Sequence, residues 1–322
     1  MEIVKSLLVS EVFFPLRERE DAQLDALARA LDTGFYGRIE AGALRSAANR
    51  RRLRDLAKAR GTALTVWTIP TLTAENLSLS SPDAALRRHT VERLRTLVDE
   101  AAACGAGLVG IPSGADPGPS LRRDATRYLA ESLLSLREKL AEHPGVALLI
   151  EPLDREVHKR QLIGPMEEAV ELVKAVRAAG VPLYICWDSA HEALGGAELL
   201  RSFALAAPYM AQFHLCNAVL DPASTLYGDY HLPVGEAPDF ASEGYLTLGV
   251  AAQVLRAAQA LGAAQALGAA QALGAAQTRE GGPGRQLSAT LEVRTQPGGD
   301  GFETEALVRA FLQAAFDRAR RT

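Results

Sequence analysis

Four side chains able to bind a metal or move a proton stand where short apolar runs stop. Glu151 follows Leu148, Leu149 and Ile150; Asp188 follows Ile185, Cys186 and Trp187; His214 follows Gln212 and Phe213; Glu292 follows Thr290 and Leu291. His191 comes three positions after Asp188, in a segment that has lost the character of a strand. A single carboxylate or imidazole at such a place is ordinarily a cap, a salt-bridge partner or a structural group. Brought together beside an imidazole, three anionic oxygen donors would repel one another unless a divalent cation neutralised them. The mixed donor set suits Mn²⁺ first, then Co²⁺, Mg²⁺ or Zn²⁺.

The elements that must position these residues repeat along the chain. Short apolar runs cover residues 6–9, 36–39, 63–67, 107–111, 146–150, 183–187, 211–215 and 289–293. They are predominantly apolar, as strands are when helices cover both faces of a parallel sheet. Helical patterns lie between them at 21–31, 44–60, 83–103, 121–142, 167–179 and 196–203. Helix starts are marked by Ser81-Pro82-Asp83 and by Gly164-Pro165-Met166-Glu167. Eight such units in one chain predict an α/β fold of the (β/α)8 TIM-barrel type, with a single domain over 1–322. In that fold, polar residues just after a strand face the active-site mouth. The Walker pattern Gly-x-x-x-x-Gly-Lys-Ser/Thr is absent, against a P-loop nucleotide-binding sheet.

One segment departs from the pattern. From Ala257 to Gln277 the hexamer Ala-Ala-Gln-Ala-Leu-Gly recurs, and Gly281-Gly282-Pro283-Gly284 follows. A six-residue step turns a helix by roughly 240°, so Leu261, Leu267 and Leu273 share no face. Residues 257–286 are therefore expected to be a low-complexity, Ala-rich helical insertion before the last strand.

Composition excludes several classes. The 322 residues are 48% hydrophobic and 23% charged, with a net charge of −4. That balance gives no basic footprint for gripping phosphate backbones, so nucleic acid is not an expected partner. The run Arg50-Arg51-Arg52-Leu53-Arg54 is expected on the solvated face of a helix. Cys104, Cys186 and Cys216 lack metal-type spacing and are expected to be reduced core residues. The first apolar stretch is too short for a signal core, and no run is long enough to span a membrane. A cytoplasmic protein without membrane contact is expected. Trp67 and Trp187 end strands and have two readings, a ligand-stacking wall or packed barrel aromatics.

The order Glu151, Asp188-x-x-His191, His214, Glu292 on four successive strands resembles the xylose isomerase-like TIM barrel superfamily of sugar isomerases, epimerases and endonuclease-IV-type proteins. Gly34-Phe35-Tyr36-Gly37-Arg38-Ile39-Glu40 is similar to its second-strand pattern. Asp229-Tyr230-His231-Leu232-Pro233-Val234-Gly235-Glu236, with Asp239 and Phe240, is similar to its segment after strand seven. The resemblance implies one divalent metal ion held by Glu151, Asp188, His214 and Glu292, with Glu151 and Glu292 also acting as acid and base on an α-hydroxyketone. It further implies substrate contacts from His191, Arg155, Glu40, Trp67, His231 and Arg294. The implied function is a metal-dependent isomerase or epimerase acting on a sugar or sugar phosphate. The implied partner is a small sugar or hydroxy-keto substrate, and a homo-oligomer is one implied assembly.

The chain departs from individual branches. Thr68-Ile69-Pro70 and Pro112-Ser113-Gly114 stand where the endonuclease branch has the histidines of a three-zinc cluster. The ketose 3-epimerase pattern Glu-x-x-Asn-Arg-x-Glu reads Glu151-Pro152-Leu153-Asp154-Arg155-Glu156-Val157 here, and Leu220 stands where that branch has an arginine. An inosose or dehydroshikimate-type dehydratase shares the metal constellation and the first proton abstraction. A non-catalytic sugar-binding barrel is the alternative from another class, since fold does not fix function.

Overall fold

The computed structural model describes residues 2–234, 243–271 and 286–321. Its eight strands are β1 (Glu2–Leu8), β2 (Arg38–Gly42), β3 (Ala63–Trp67), β4 (Leu108–Ile111), β5 (Ala147–Ile150), β6 (Leu183–Asp188), β7 (Met210–Cys216) and β8 (Gln286–Glu292). They pair in parallel and in chain order, and β8 closes on β1. The predicted TIM barrel is what forms, with every expected strand found within a few residues of its place.

Side chains alternate along each strand, as the two-residue period requires. One set, including Val109, Ile111, Leu148, Ile150, Ile185, Trp187, Phe213 and Leu291, joins the surrounding helices in the main core. The other set points into the barrel, where Leu8, Trp67, Leu108, Ala147, Leu149 and Cys186 belong to a second, smaller apolar cluster that also takes in Ala211, beside the register shift between β6 and β7. Also buried, on the inward positions of their strands, are the polar residues Ser6, Arg38, Glu40, Thr65, Gln212, Ser288 and Thr290. Most buried groups of this kind are hydrogen-bonded, Ser288 Oγ being an exception here. Arg38 Nη1 donates to Thr65 Oγ1 at 3.2 Å, and Thr65 Oγ1 donates to Gln212 Oε1 at 3.0 Å. Trp187 belongs to the outer core: it is completely buried against Phe203 and donates to Ser202 Oγ at 2.9 Å.

Helix boundaries follow their capping chemistry. The helix Ala84–Ala103 starts at Asp83, whose Oδ1 accepts from Ala85 N at 2.7 Å and Leu86 N at 3.3 Å. A cap of this kind stabilises by about 1 kcal/mol. The span 121–142, expected as one helix, is two, Arg122–Leu134 and Arg137–Glu142, separated where Leu136 is fully buried. Three short helices were not expected: Val9–Val12, Ile69–Ala74 and Ser189–Leu194. Each directly follows a strand and is too short to show a helical period.

The alanine-rich repeat does not begin a new element. It prolongs the helix Leu248–Gln271, whose first turns bury Ala251, Ala252, Val254, Leu255 and Ala258 against the barrel. The rest of the expected insertion, 272–285, lies outside the described residues, as do Gly235, Glu236, Asp239 and Phe240. All three cysteines are free and buried. The basic run lies on the helix Ala47–Arg60 with only Leu53 fully buried, and Arg50, Arg52 and Arg54 pair with Glu100, Asp25 and Asp55. Among the described residues no helix is long and apolar enough to cross a membrane.

Candidate metal centre

Strands β5 to β8 deliver residues at or near their C-terminal ends to one point. Asp188 pairs in register with His214, and Cys216 with Glu292, so β6, β7 and β8 present these groups side by side. One ligand atom each from Glu151, Asp188, His214 and Glu292 lies within 4.8 Å of all the others. His214 Nδ1 is 3.1 Å from Glu151 Oε1, 2.9 Å from Glu292 Oε2 and 3.7 Å from Asp188 Oδ2.

The stretch from Tyr184 to Glu192 shows how local folding builds this point. Asp188 ends β6 and caps the helix Ser189–Leu194, its Oδ1 accepting from Ala190 N at 2.7 Å and His191 N at 3.1 Å. The cap fixes the carboxylate and leaves Oδ2 aimed at the cluster. One helical turn then carries His191 beside it, where Nδ1 is 3.2 Å from Asp154 Oδ2 and Nε2 is 3.7 Å from Asp229 Oδ2.

Glu40 sets the direction of His214. Its carboxylate is completely buried, and Oε2 lies 3.0 Å from His214 Nε2. Trp67 Nε1 donates to Oε2 at 2.9 Å, Ser6 Oγ donates to Oε1 at 2.8 Å, and Gln212 and Thr290 also donate to this carboxylate. Burial opposes the charge on Glu40, but the His214 imidazole and these donors outweigh it and hold the carboxyl down at about 2. An anion against Nε2 puts the proton there and turns the Nδ1 lone pair toward the three carboxylates, the usual arrangement behind a metal-ligating histidine.

Three inward-facing atoms of the set have no hydrogen-bond partner: Glu151 Oε1, Asp188 Oδ2 and His214 Nδ1. Buried acceptors without partners are costly, and here they converge. Burial, helped by the charges of Glu292 and Glu151, pushes Asp188 up to about 7. His214 is raised well above the ordinary imidazole value because Cys186, Glu40 and the site glutamates overcome its burial. Without a cation the cluster can only relieve its repulsion by holding protons. Donor type, convergence and missing partners all fit one divalent ion.

A second network adjoins Glu292. His231 Nε2 is 3.4 Å from Glu292 Oε1 and 3.1 Å from Asp229 Oδ2, while its Nδ1 is 2.9 Å from Glu11 Oε2. Arg294 Nε donates to the same Glu11 oxygen at 2.5 Å, and Lys159 Nζ lies 2.9 Å from Asp229 Oδ2. His191, His231 and Arg294 thus stand around the centre. Glu40 and Trp67 do not reach its open side: Glu40 is fully buried, and Trp67, 6% exposed, packs its ring 5.6 Å from that of His214. Both support His214 from below. Arg155 turns away, bonded to Glu168 at 2.9 Å and to the Leu162 carbonyl. It lines a neighbouring cavity of about 480 Å³ with His191, Glu192 and Ser202. A larger hollow of about 720 Å³, bounded by Glu18, Arg45 and Asn49, holds none of these residues.

Glu11, Asp154, Lys159 and Gln212 were not singled out from sequence. Asp154 and Lys159 lie in the loop after β5, so their position just beyond a barrel strand was the available signal. Gln212 sits two residues before His214 on one strand face, a period-two signal.

A family model described as a xylose isomerase-like TIM barrel matches residues 27–259. No curated protein matches the chain in sequence. Among solved structures it is similar to an L-ribulose 3-epimerase, at 16% identity over 99% of this chain and 96% of that one, with a TM-score of 0.67. It is also similar to a D-psicose 3-epimerase studied in the presence of D-fructose, at 17% identity over 98% and 99%, with a TM-score of 0.66. A family 2 AP endonuclease from Brucella melitensis aligns at 18% identity over 97% and 99%, with a TM-score of 0.63. At these identities the likeness shows the fold.

Proposed function

Because the chain belongs to the xylose isomerase-like TIM barrel family, we propose that it is a divalent-metal-dependent sugar isomerase or epimerase that moves a proton on the carbon next to a carbonyl. The convergence of Glu151, Asp188, His214 and Glu292, with three of their inward atoms unpartnered, carries this reading. The similarity to solved sugar 3-epimerases supports it.

Glu151, Asp188, His214 and Glu292 would hold the ion, with Mn²⁺ the first candidate for this donor set. When bound, the ion supplies Lewis acidity that makes a neighbouring C–H easier to ionise. Proton movement belongs to the protein. Glu151 and Glu292 both border the centre, each about 3 Å from His214 Nδ1, so one carboxylate can take the proton and the other return it. His231 and His214 keep Glu292 below the ordinary carboxyl range despite its burial, which keeps it ionised. His191, buried yet raised to about 9 chiefly by the Asp188 charge, is placed to donate to a substrate oxygen.

Incubating ketopentoses and ketohexoses with Mn²⁺-loaded and EDTA-stripped protein, with separation of the products, tests the proposal. New epimers or aldoses are expected only with the loaded protein. Unchanged sugars throughout, with bound metal confirmed, would count against it.

A further inference from the structure

Lys159 stands next to the centre in a way its loop is built to enforce. Asp154 accepts from the backbone amides of Val157, His158 and Lys159, the last at 3.1 Å, which pins the turn. The lysine side chain then crosses to the segment after β7, where Nζ is 2.9 Å from Asp229 Oδ2 and 3.5 Å from His231 Nε2.

The cations around the centre differ in how fully they are paired. Arg294 has Glu11, and Arg155 has Glu168. Asp229 Oδ2 is shared: besides Lys159 it faces His231 Nε2 at 3.1 Å and His191 Nε2 at 3.7 Å. The anion is completely buried while the lysine side chain is 27% exposed. An ammonium carries three N–H donors, and one carboxylate oxygen divided among three nitrogens does not use them up. His231, the lysine's other neighbour, reaches Glu292 Oε1 at 3.4 Å, so the unspent donors lie one imidazole away from a carboxylate of the metal set.

From this geometry we propose that Lys159 is a substrate-binding residue whose ammonium donates to a substrate hydroxyl beyond the oxygens taken at the metal centre. The proposal rests on the sugar reading above and narrows it to substrates long enough to carry such a hydroxyl, ketoses of pentose or hexose size rather than three-carbon hydroxy-keto acids. Asp229 orients the ammonium, and the Asp154 turn delivers it.

The test is calorimetric binding of a ketopentose and ketohexose panel, and of monodeoxy analogues of the tightest member, to Mn²⁺-loaded wild type and Lys159→Met, with metal content measured for both. The variant should keep its metal and bind the parent sugar about tenfold or more weakly, the weight of one hydrogen bond to a charged group. One monodeoxy analogue should bind both proteins within about twofold. A lysine that only ties two loops together would weaken every analogue alike, and that result overturns the proposal. So does parent binding within about threefold of wild type. Binding separates this proposal from the catalytic one: a wild type that binds sugar without turning it over sinks the isomerase reading alone.

Discussion

Glu40 Oε2 lies 3.0 Å from His214 Nε2, and this buried contact decides which imidazole nitrogen faces the centre. Replacing the carboxylate by an amide leaves the volume nearly unchanged but removes the anion that holds the proton on Nε2. Glu40→Gln should fold, because the site is filled, and should bind Mn²⁺ about 10- to 100-fold more weakly. Titration calorimetry of the metal-free proteins reads the difference. Equal affinities would mean that His214 needs no such partner.

Gly110 reaches the same contact from the other side. A Cβ added there would lie 2.0 Å from Trp67 Cε3, and Trp67 Nε1 holds Glu40 Oε2 at 2.9 Å. Gly110→Ala must displace the indole. A loss of about 1–3 kcal/mol in denaturant unfolding is expected, together with weaker metal binding. A drop in stability with unaltered metal affinity would show that Trp67 does not transmit to the centre.

In the proposed mechanism Glu151 and Glu292 have the two proton-transfer roles, so Glu151→Gln and Glu292→Gln should each lower turnover by about 10²- to 10⁴-fold. Sugar binding, measured apart from turnover, should survive in both. Full activity in either variant would remove that residue from the mechanism.

Acid stability should depend on Glu11. Burial alone would raise its carboxyl, but hydrogen bonds and charge from His231 and Arg294 bring it from 4.5 down to about 2. A depressed carboxyl stabilises the fold above its unfolded value and loses that contribution as pH falls toward its folded one. The contribution, on the order of 3 kcal/mol, should be complete above about pH 4.5 and vanish near pH 2. Glu11→Gln should therefore be less stable than wild type at neutral pH and converge with it in acid. A constant difference across that range would place the effect elsewhere.

The barrel and the convergence of four candidate ligands were legible in the sequence for one reason: apolar runs ending in Glu151, Asp188, His214 and Glu292 report both the strand and the end that faces the barrel mouth. What escaped depends on contacts between distant segments. Glu11 is 220 positions from His231 and meets it only after β1 closes on β8. Glu40 and Trp67 had the right address, the end of a strand, but no sequence pattern tells whether a side chain there tops the site or underlies a ligand. The buried register settles it, placing both against His214. Arg155 is a residue of suitable type that pairs with Glu168, a contact between segments that its position after β5 does not announce.

Proton abstraction is the central claim, and exchange of substrate C–H for deuterium in D₂O, followed by NMR over a panel of ketoses, inososes and hydroxy-keto acids, reads it directly. Exchange beside the carbonyl is expected with Mn²⁺ present, and its loss with EDTA. No exchange from any member of the panel, in protein whose metal content is confirmed, would contradict the account and leave a sugar-binding barrel in its place.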